Sequence, residues 1–442
     1  MIRKKIFRLI RRSTFLLSQL ILIVAFGCGP AATPIIIELP TTAPVASEAT
    51  QPVPTQAIPT GMPTITSTPF EPRAVIKLFS HVPLTGEQSR YGQDILRGAE
   101  LAVEHLSGPL NEQGYKVELV SYDDQNLTET ARANAQQIVA DAEILCGVGH
   151  YDSAVTVAAS DVYHLAGLAL VAPSTTAPIL TDRNYREVNR VIGRADGQGI
   201  AAAQFAISKQ FATVYIVSQQ KEESLRNAEY FRRDSGNLGI QLLGMRVGNV
   251  TDENINQIVS QIMTANPDLV YISSAADQAI PFLSELRAAG YAGTFVGTEE
   301  LDHPELISQA GTSLIEGGGL YYTITTPPTQ FFPETEQFIW EYNQKYSEEP
   351  LDFAARAYDA AGICLRGIAL AVETVGGVVP TRADVTRAIR RLNNYKGLTG
   401  TYDFNREGDP DPAPYYVLQV TSMDAANWAQ NPIVAGYEII PP

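Results

Sequence analysis

The sequence predicts an α/β protein in which parallel β-sheets are covered by helices on both faces. From residue 74 onward, short apolar segments alternate with longer amphipathic segments, and the apolar segments end in glycine or polar residues. This alternation is typical of parallel sheets with crossover helices. Because one sheet containing every predicted strand would be unusually large, we expect two sheets.

The individual elements follow from apolar patterning. Strands are predicted at residues 74–79, 117–122, 144–149, 168–172, 212–217, 240–247, 269–273 and 294–297. Helices are predicted at residues 91–106, 129–140, 225–233, 255–264 and 279–289. A further helix follows residue 149, because apolar residues from Val155 to Val162 recur at helical spacing. Asp152 or Ser153 is placed to cap this helix.

The segment 144–181 contains the strongest local signal for a binding site. Its two predicted strands and the helix between them form a βαβ unit, in which both strand ends and the helix start share one sheet edge. That edge would carry the hydroxyls of Ser153, Ser174 and Thr176 beside free backbone N–H groups. Such a place suits a small anion, above all a carboxylate. Alternatively, each hydroxyl is only a cap or a turn former.

Composition and charge narrow the class of partner. The chain has 442 residues, of which 45% are hydrophobic and 18% are charged, and its formal net charge is -16. The only strongly basic segment is the amino terminus, so the remainder is more acidic still. We therefore expect neither nucleic acid nor an anionic membrane surface as a partner.

The amino-terminal segment is predicted to be an export signal. Residues 1–28 contain a basic head, an apolar run too short to span a bilayer and a terminal Cys28. The end resembles a bacterial lipoprotein cleavage site, which implies lipidation of Cys28; simple secretion is the alternative. Residues 29–73 are rich in proline and threonine and are predicted to be a disordered surface tether. The chain would then be exported, either anchored at the outer face of the cytoplasmic membrane or in the periplasm.

Cysteine and histidine patterns argue against a metalloprotein or an enzyme. Cys146 and Cys364 occupy predicted buried strand and helix positions, and the sequence shows no disulfide framework and no metal-ligand spacing. His150, Asp152 and Ser153 lie within four consecutive residues, and side chains so close in sequence rarely align as a catalytic triad. We expect no enzymatic activity, no cofactor and no metal. His150 is interpreted as a loop residue at a strand end.

Several motifs together resemble a known family. They occur in the order KLFSHVPLTGEQSRYGQDILRGAELAVE, YDDQ, GVGHYDSAVTVAASDVY, APSTTAPILT, GRADGQG and LTGTYDFNREGD. This order is similar to that of type I periplasmic binding proteins, above all the leucine/isoleucine/valine-binding proteins of ABC transporters. The resemblance implies two doubly wound parallel-sheet lobes joined by a three-crossing hinge. Residues 74–194 with 321–397 would form lobe 1, and residues 195–320 with 398–442 would form lobe 2.

The resemblance also implies roles for individual residues. Ser153 and Thr176 match the family residues that hold a ligand carboxylate. The backbone carbonyl of Ser174 and the carboxylate of Glu299 match the groups that hold its ammonium, and Tyr91 matches an aromatic residue near the ligand. Weaker candidates are the neighbouring residues Thr175, Asp196 and Glu300.

The sequence departs from the family on the side-chain half of the pocket. Residues 218–224 lack the tyrosine and glycine of the family loop, Ala195 replaces an aspartate of the hinge motif, and Ala275 and Ala276 replace aromatic residues. These changes predict a wider or more polar pocket, so specificity for leucine does not follow from the resemblance.

Taken together, the sequence predicts a monomeric substrate-binding component of an ABC importer. It would bind an amino acid or a related amphoteric solute by clamp closure and deliver it to a permease. The alternatives are a ligand-binding sensor lipoprotein for a separate membrane signalling partner, and a structural or adhesive role without a ligand.

Overall fold

The computed structural model describes residues 72–251, 253–421 and 424–442. The predicted export signal, Cys28 and residues 29–71 of the predicted tether lie outside this part of the chain. No helix of the described residues has the length and apolar character that crossing a membrane requires.

The described chain is an α/β fold with two large sheets, as predicted. Its strands are β1 Ala74–Val82, β2 Tyr115–Asp123, β3 Ile144–Gly149, β4 Ala169–Ala172, β5 Val188–Arg190, β6 Thr213–Ser218, β7 Gln241–Val247, β8 Leu269–Ser273, β9 Thr294–Gly297, β10 Leu320–Ile324, β11 Tyr395–Lys396, β12 Thr401–Tyr402, β13 Ala413–Gln419 and β14 Ile433–Ile439. Its helices are α1 Ser89–Leu106, α2 Gly108–Glu112, α3 Thr128–Ala140, α4 Ser153–Leu165, α5 Ile179–Asp182, α6 Gln198–Ser208, α7 Glu222–Asn237, α8 Ile255–Ala265, α9 Ala276–Ala288, α10 Glu305–Ala310, α11 Glu336–Tyr346, α12 Ala354–Thr374 and α13 Arg382–Ile389.

The first sheet, sheet A, has five parallel strands in the order β2-β1-β3-β4-β5. Its two faces are covered by different helices. On one face Ile95 of α1 and Leu365 of α12 pack with Leu78 of the sheet. On the other face Ala131 of α3 and Val155 of α4 pack with strand residues. Burial on both faces explains why the inner strands β3 and β4 are continuously apolar.

The second sheet, sheet B, has seven strands in the order β14-β13-β10-β9-β8-β6-β7. Strands β6 to β10 run parallel to one another, whereas β13 runs antiparallel to both β10 and β14. Two hydrophobic clusters, one containing Leu283 and the other Phe231, contain buried residues of sheet B. The antiparallel pair was not predicted, because its strands lie in the carboxyl-terminal segment, beyond the regular alternation.

The chain passes from sheet B back to sheet A after strand β10. Strand β10 pairs with β9 and β13, so residues up to Ile324 belong to sheet B, whereas α12 packs against sheet A. We therefore propose that the second crossing follows Ile324 and does not lie at the expected boundary between residues 320 and 321. Below, lobe 1 denotes the part around sheet A, and lobe 2 the part around sheet B.

The structure corrects the expectation about cysteines. Cys146 on β3 and Cys364 on α12 are buried strand and helix residues, as expected, but they form a disulfide bond. The two residues are 218 positions apart, so no spacing pattern could have indicated the pairing. The bond ties α12, which follows the second crossing, to the central strand of sheet A.

Candidate functional site

The loops that follow β3 and β4 are joined at the carboxyl edge of sheet A. The hydroxyl of Ser174 donates to the carbonyls of His150 at 2.7 Å and Tyr151 at 2.9 Å. The hydroxyls of Thr156 and Thr175 are hydrogen-bonded at 2.6 Å. These contacts hold the loop around Thr176 beside the first turn of α4. The hydroxyl of Ser174 is therefore used internally, whereas its carbonyl accepts no hydrogen bond from the described residues.

The hydrogen-bond donors of Ser153 and Thr176 have no partners among the described residues. Within the described part of the chain, neither the backbone N–H nor the hydroxyl of either residue has a partner. Both side chains are partly exposed. Ser153 also borders an open depression of about 510 Å³ together with Ala177. Four donors on two adjoining loops suit the two oxygens of a carboxylate.

Asp152 caps α4 and makes the start of this helix less suited to an anion than expected. Its carboxylate accepts hydrogen bonds from the backbone N–H groups of Ala154 at 2.7 Å and Val155 at 3.2 Å. Two N–H groups of the helix start are therefore already satisfied, contrary to the expectation that they are free. A negative charge also lies one residue from Ser153, which lowers the local affinity for an anion.

An aromatic cluster lies beside these loops. The rings of Tyr91 and Tyr151 are stacked, with centroids 4.8 Å apart and 2° between their planes. Phe353 packs edge-on against both rings. Burial, together with Tyr91, Asp152 and Asp352, raises the pKa of Tyr151 to about 12. Tyr91 thus contributes to an apolar wall, and Tyr151 is a member of this wall that the sequence did not indicate.

Glu299 follows β9 of lobe 2 and is held by the strand ends around it. Its backbone N–H donates a hydrogen bond to the side-chain oxygen of Gln198 at 2.9 Å. Its carboxylate accepts two hydrogen bonds from Thr325, one from the hydroxyl at 2.9 Å and one from the backbone N–H at 3.3 Å. Burial raises the pKa of Glu299 to about 7, with smaller contributions from Glu223 and Asp302, although the Thr325 hydrogen bonds oppose the rise. A carboxylate in this environment gains from a cationic partner.

The three weaker candidates are engaged within the protein. Glu300 accepts hydrogen bonds from Lys221 at 2.9 Å and Ser224 at 3.4 Å. Asp196 is buried and receives two hydrogen bonds from Arg194, at 2.9 and 2.8 Å. Thr175 uses its hydroxyl for Thr156 and its carbonyl for Arg190. Their contacts are within the protein, and Asp196 lies where we propose the first crossing between the lobes.

Sequence reasoning missed the residues that support Glu299. Gln198 accepts hydrogen bonds from both Glu299 and Thr323, and Thr325 follows β10 directly. Glu223 lies in the segment that lacks the family tyrosine, and burial raises its pKa. The sequence did not indicate these roles, because Gln198, Glu223 and Thr325 approach Glu299 from segments that are distant in sequence.

Comparison with known proteins agrees with this architecture. A family model described as periplasmic binding protein matches residues 76–426. The leucine-, isoleucine-, valine-, threonine- and alanine-binding protein of Pseudomonas aeruginosa is 27% identical over 76% of this chain and 87% of its own length.

Two solved structures have a similar fold. A leucine-binding protein from Thermotoga maritima superimposes with a TM-score of 0.60 at 25% identity, covering 83% of this chain and 99% of its own. A branched-chain amino acid ABC transporter protein from Rhodospirillum rubrum gives a TM-score of 0.65 at 24% identity, covering 83% of this chain and 100% of its own. The chain belongs to the periplasmic binding protein family.

Proposed function

We propose that this protein is the extracytoplasmic substrate-binding component of an ABC importer and that it binds an α-amino acid or a similar amphoteric solute between its lobes. The observation that carries the proposal is a set of donors on Ser153 and Thr176 in lobe 1 that have no hydrogen-bond partner among the described residues. The carboxylate of Glu299 in lobe 2, which is hydrogen-bonded to Thr325, complements them. A relative named for binding five amino acids supports the same ligand class.

In this proposal each half of the site holds one charged group of the ligand. The N–H and hydroxyl groups of Ser153 and Thr176 donate to its carboxylate. The carbonyl of Ser174 and the carboxylate of Glu299 accept from its ammonium. Closure of the lobes removes water from both contacts, which strengthens charge-assisted hydrogen bonds.

The side-chain half of the pocket is expected to differ from that of leucine-specific relatives. The segment from Gln219 to Glu223 carries polar side chains, and the turn before α9 carries Ala275. A ligand larger or more polar than leucine would fit this wall. We therefore propose an amphoteric solute as the ligand class, with the side chain left open.

Thermal unfolding in the presence of amino acids, amino-acid amides and small carboxylates tests the proposal. A true ligand at 100 times its Kd should stabilise the protein by about 2.7 kcal/mol. Ser153→Ala combined with Thr176→Ala should abolish this gain, whereas Thr264→Ala, in a helix of lobe 2, should retain it. Absence of stabilisation by every amino acid would contradict the proposal.

The proposed role in an importer also implies a location for the protein. We place the protein outside the cytoplasmic membrane as a monomer, anchored through a lipid on Cys28 and delivering its ligand to a permease. Mass spectrometry of the mature amino-terminal peptide should show a lipid-modified Cys28. A Cys28→Ala variant should be released from the membrane fraction, and an unmodified peptide would exclude the anchor.

A further inference from the structure

Three side chains that can bind a metal meet in the interior of lobe 1. His81 lies on β1, Asp124 directly follows β2, and His150 directly follows β3. One nitrogen of each imidazole and one oxygen of the carboxylate lie within 4.8 Å of one another. All three residues are 0% exposed. The sequence pattern did not indicate them, because they come from three separate strands.

Direct contacts hold the cluster together. Nδ1 of His150 is 2.7 Å from Oδ2 of Asp124, and the two imidazole rings are 4.2 Å apart between centroids. The phenol oxygen of Tyr163 is 2.7 Å from Nδ1 of His81 and 3.4 Å from Nε2 of His150. The backbone N–H of Asn126 donates to the other oxygen of Asp124 at 2.8 Å. The cluster is thus connected by polar contacts, and its possible ligand atoms lie within 4.8 Å of one another.

The carboxylate of Asp124 has one ion-pair partner in the described part of this interior, the imidazole of His150. Among the described residues, no lysine or arginine forms an ion pair with it, and its one ion-pair partner is His150. A carboxylate removed from water is strongly destabilised unless a cation is paired with it. A bound divalent cation would supply that charge.

We propose that His81, Asp124 and His150 bind one divalent transition-metal ion of the Zn²⁺ type. Two imidazoles and a carboxylate form a ligand set typical of zinc, which bonds nitrogen and oxygen at about 2.0–2.2 Å. Ligand atoms already within 4.8 Å of one another reach such a common centre by shifts on the order of 1 Å. Tyr163 supplies a fourth polar group beside the ion.

The ion would act as a structural tie beneath the ligand site. It would join the ends of β1, β2 and β3 at the carboxyl edge of sheet A. The carbonyl of His150 accepts the hydroxyl of Ser174, and Ser153 begins the helix just beyond. Metal binding is therefore expected to stabilise lobe 1 and to hold the loop that carries Ser153.

Zinc titration of the chelator-treated full chain, purified without a histidine tag, tests the proposal by calorimetry and elemental analysis. The expected result is one zinc ion per chain. Asp124→Asn and His81→Gln should each weaken zinc binding by more than about 100-fold, because loss of an outer-shell partner alone costs about 10- to 100-fold. His164→Gln is the control, since His164 pairs with Glu187 at 2.7 Å outside the cluster. The zinc affinity of His164→Gln should equal that of the unmodified protein.

If the variants of these buried residues do not fold, a second measurement on the unmodified protein tests whether the cluster binds a metal. Cobalt(II) added to the unmodified protein should give visible d–d bands that stoichiometric zinc removes. Zinc uptake below one ion per chain, absent cobalt bands, or equal zinc affinity in folded Asp124→Asn would overturn the proposal. The cluster would then be a hydrogen-bond chain from Asn134 through His81, Tyr163 and His150 to Asp124.

Discussion

The carboxylate of Glu299 accepts a hydrogen bond from the hydroxyl of Thr325, with 2.9 Å between the two oxygens. Thr325 directly follows β10, where the chain leaves sheet B, and its carbonyl accepts a hydrogen bond from Arg356 of α12 at 3.1 Å. Arg356 also donates to the carbonyl of Val191 at 3.0 Å. The proposed ligand acid is thus connected to the segments that pass between the lobes. Ligand binding at Glu299 is therefore expected to shift the equilibrium between the open and closed arrangements of the lobes.

Replacing Glu299 should weaken ligand binding without unfolding the protein. Glu299→Gln removes the negative charge that would face the ligand ammonium, and a charge-assisted hydrogen bond contributes about 1.5–3 kcal/mol. We expect an affinity loss of about 10- to 100-fold in calorimetric titration with the best amino-acid ligand. Glu300→Gln is the matched control, because Glu300 pairs with Lys221, and it should bind nearly normally. The reverse result would assign the ammonium contact to Glu300.

The pKa of Glu299 predicts opposite pH trends for stability and for binding. Because burial raises this pKa from 4.5 to about 7, the folded chain binds more protons than the unfolded chain between these values. The contribution of Glu299 to the free energy of unfolding should therefore fall as pH rises from 4.5 to 7. Ligand affinity should rise over the same range, because the ligand ammonium favours the ionised carboxylate.

The difference between the unmodified protein and Glu299→Gln isolates this group. Asp94 and Asp359 also have pKa values raised to about 6 by burial, and both remain in the variant. Urea unfolding and ligand titration at several pH values should show a pH-dependent difference in both quantities. A difference that does not change with pH would contradict the assignment.

Removing the cap charge should improve carboxylate binding. Asp152→Asn retains the N-cap hydrogen bonds, because asparagine caps helices as well as aspartate. It deletes the negative charge beside Ser153, and a unit charge at 4 Å contributes about 1 kcal/mol in water. We expect affinity for amino acids to rise by up to about fivefold, whereas affinity for amino-acid amides should change less. Equal gains for both ligand types would argue against a carboxylate at Ser153.

Arg356 is expected to stabilise the crossing between the lobes. Arg356→Met removes the donor to the carbonyl of Thr325 and leaves that of Val191 with only the longer 3.4 Å hydrogen bond from Tyr402. Unsatisfied buried polar groups cost about 1–3 kcal/mol each. The free energy of unfolding in urea should fall by about 2–4 kcal/mol. Arg366→Met, at an exposed position of the same helix, should change it by less than about 0.5 kcal/mol. A comparable decrease in the free energy of unfolding in both variants would contradict a stabilising role of Arg356 at the crossing.

The disulfide is expected to contribute measurably to stability. The bond between Cys146 and Cys364 closes a loop with a sequence separation of 218, and removing a native disulfide typically costs about 2–5 kcal/mol. Dithiothreitol should lower the melting temperature of the unmodified protein. It should have no effect on the double variant Cys146→Ala, Cys364→Ala, which should already melt lower. A double variant that melts at the same temperature as the unmodified protein without reductant would show that the bond does not stabilise the fold.

Local patterning determined most of the regular elements. The strands Ile144–Gly149, Leu269–Ser273 and Thr294–Gly297 have the predicted bounds, because a buried strand between polar turns is defined by its own apolar residues. The position of Ser153 at the start of a helix followed in the same way. The short strand β5 and the antiparallel strands of sheet B were missed, because their pairing depends on neighbours supplied by the rest of the chain.

Long-range contacts were decided only by the tertiary structure. His150 and Asp124 are 26 residues apart, and Cys146 and Cys364 are 218 apart, so neither pair leaves a spacing signal. The sequence alone therefore determined the α/β alternation and the edge that carries Ser153 and Thr176, since these depend on periodicity and on the geometry of parallel strands. The disulfide, the buried histidine cluster and the link from Glu299 to Arg356 required the fold, because packing brings together side chains that no local preference relates.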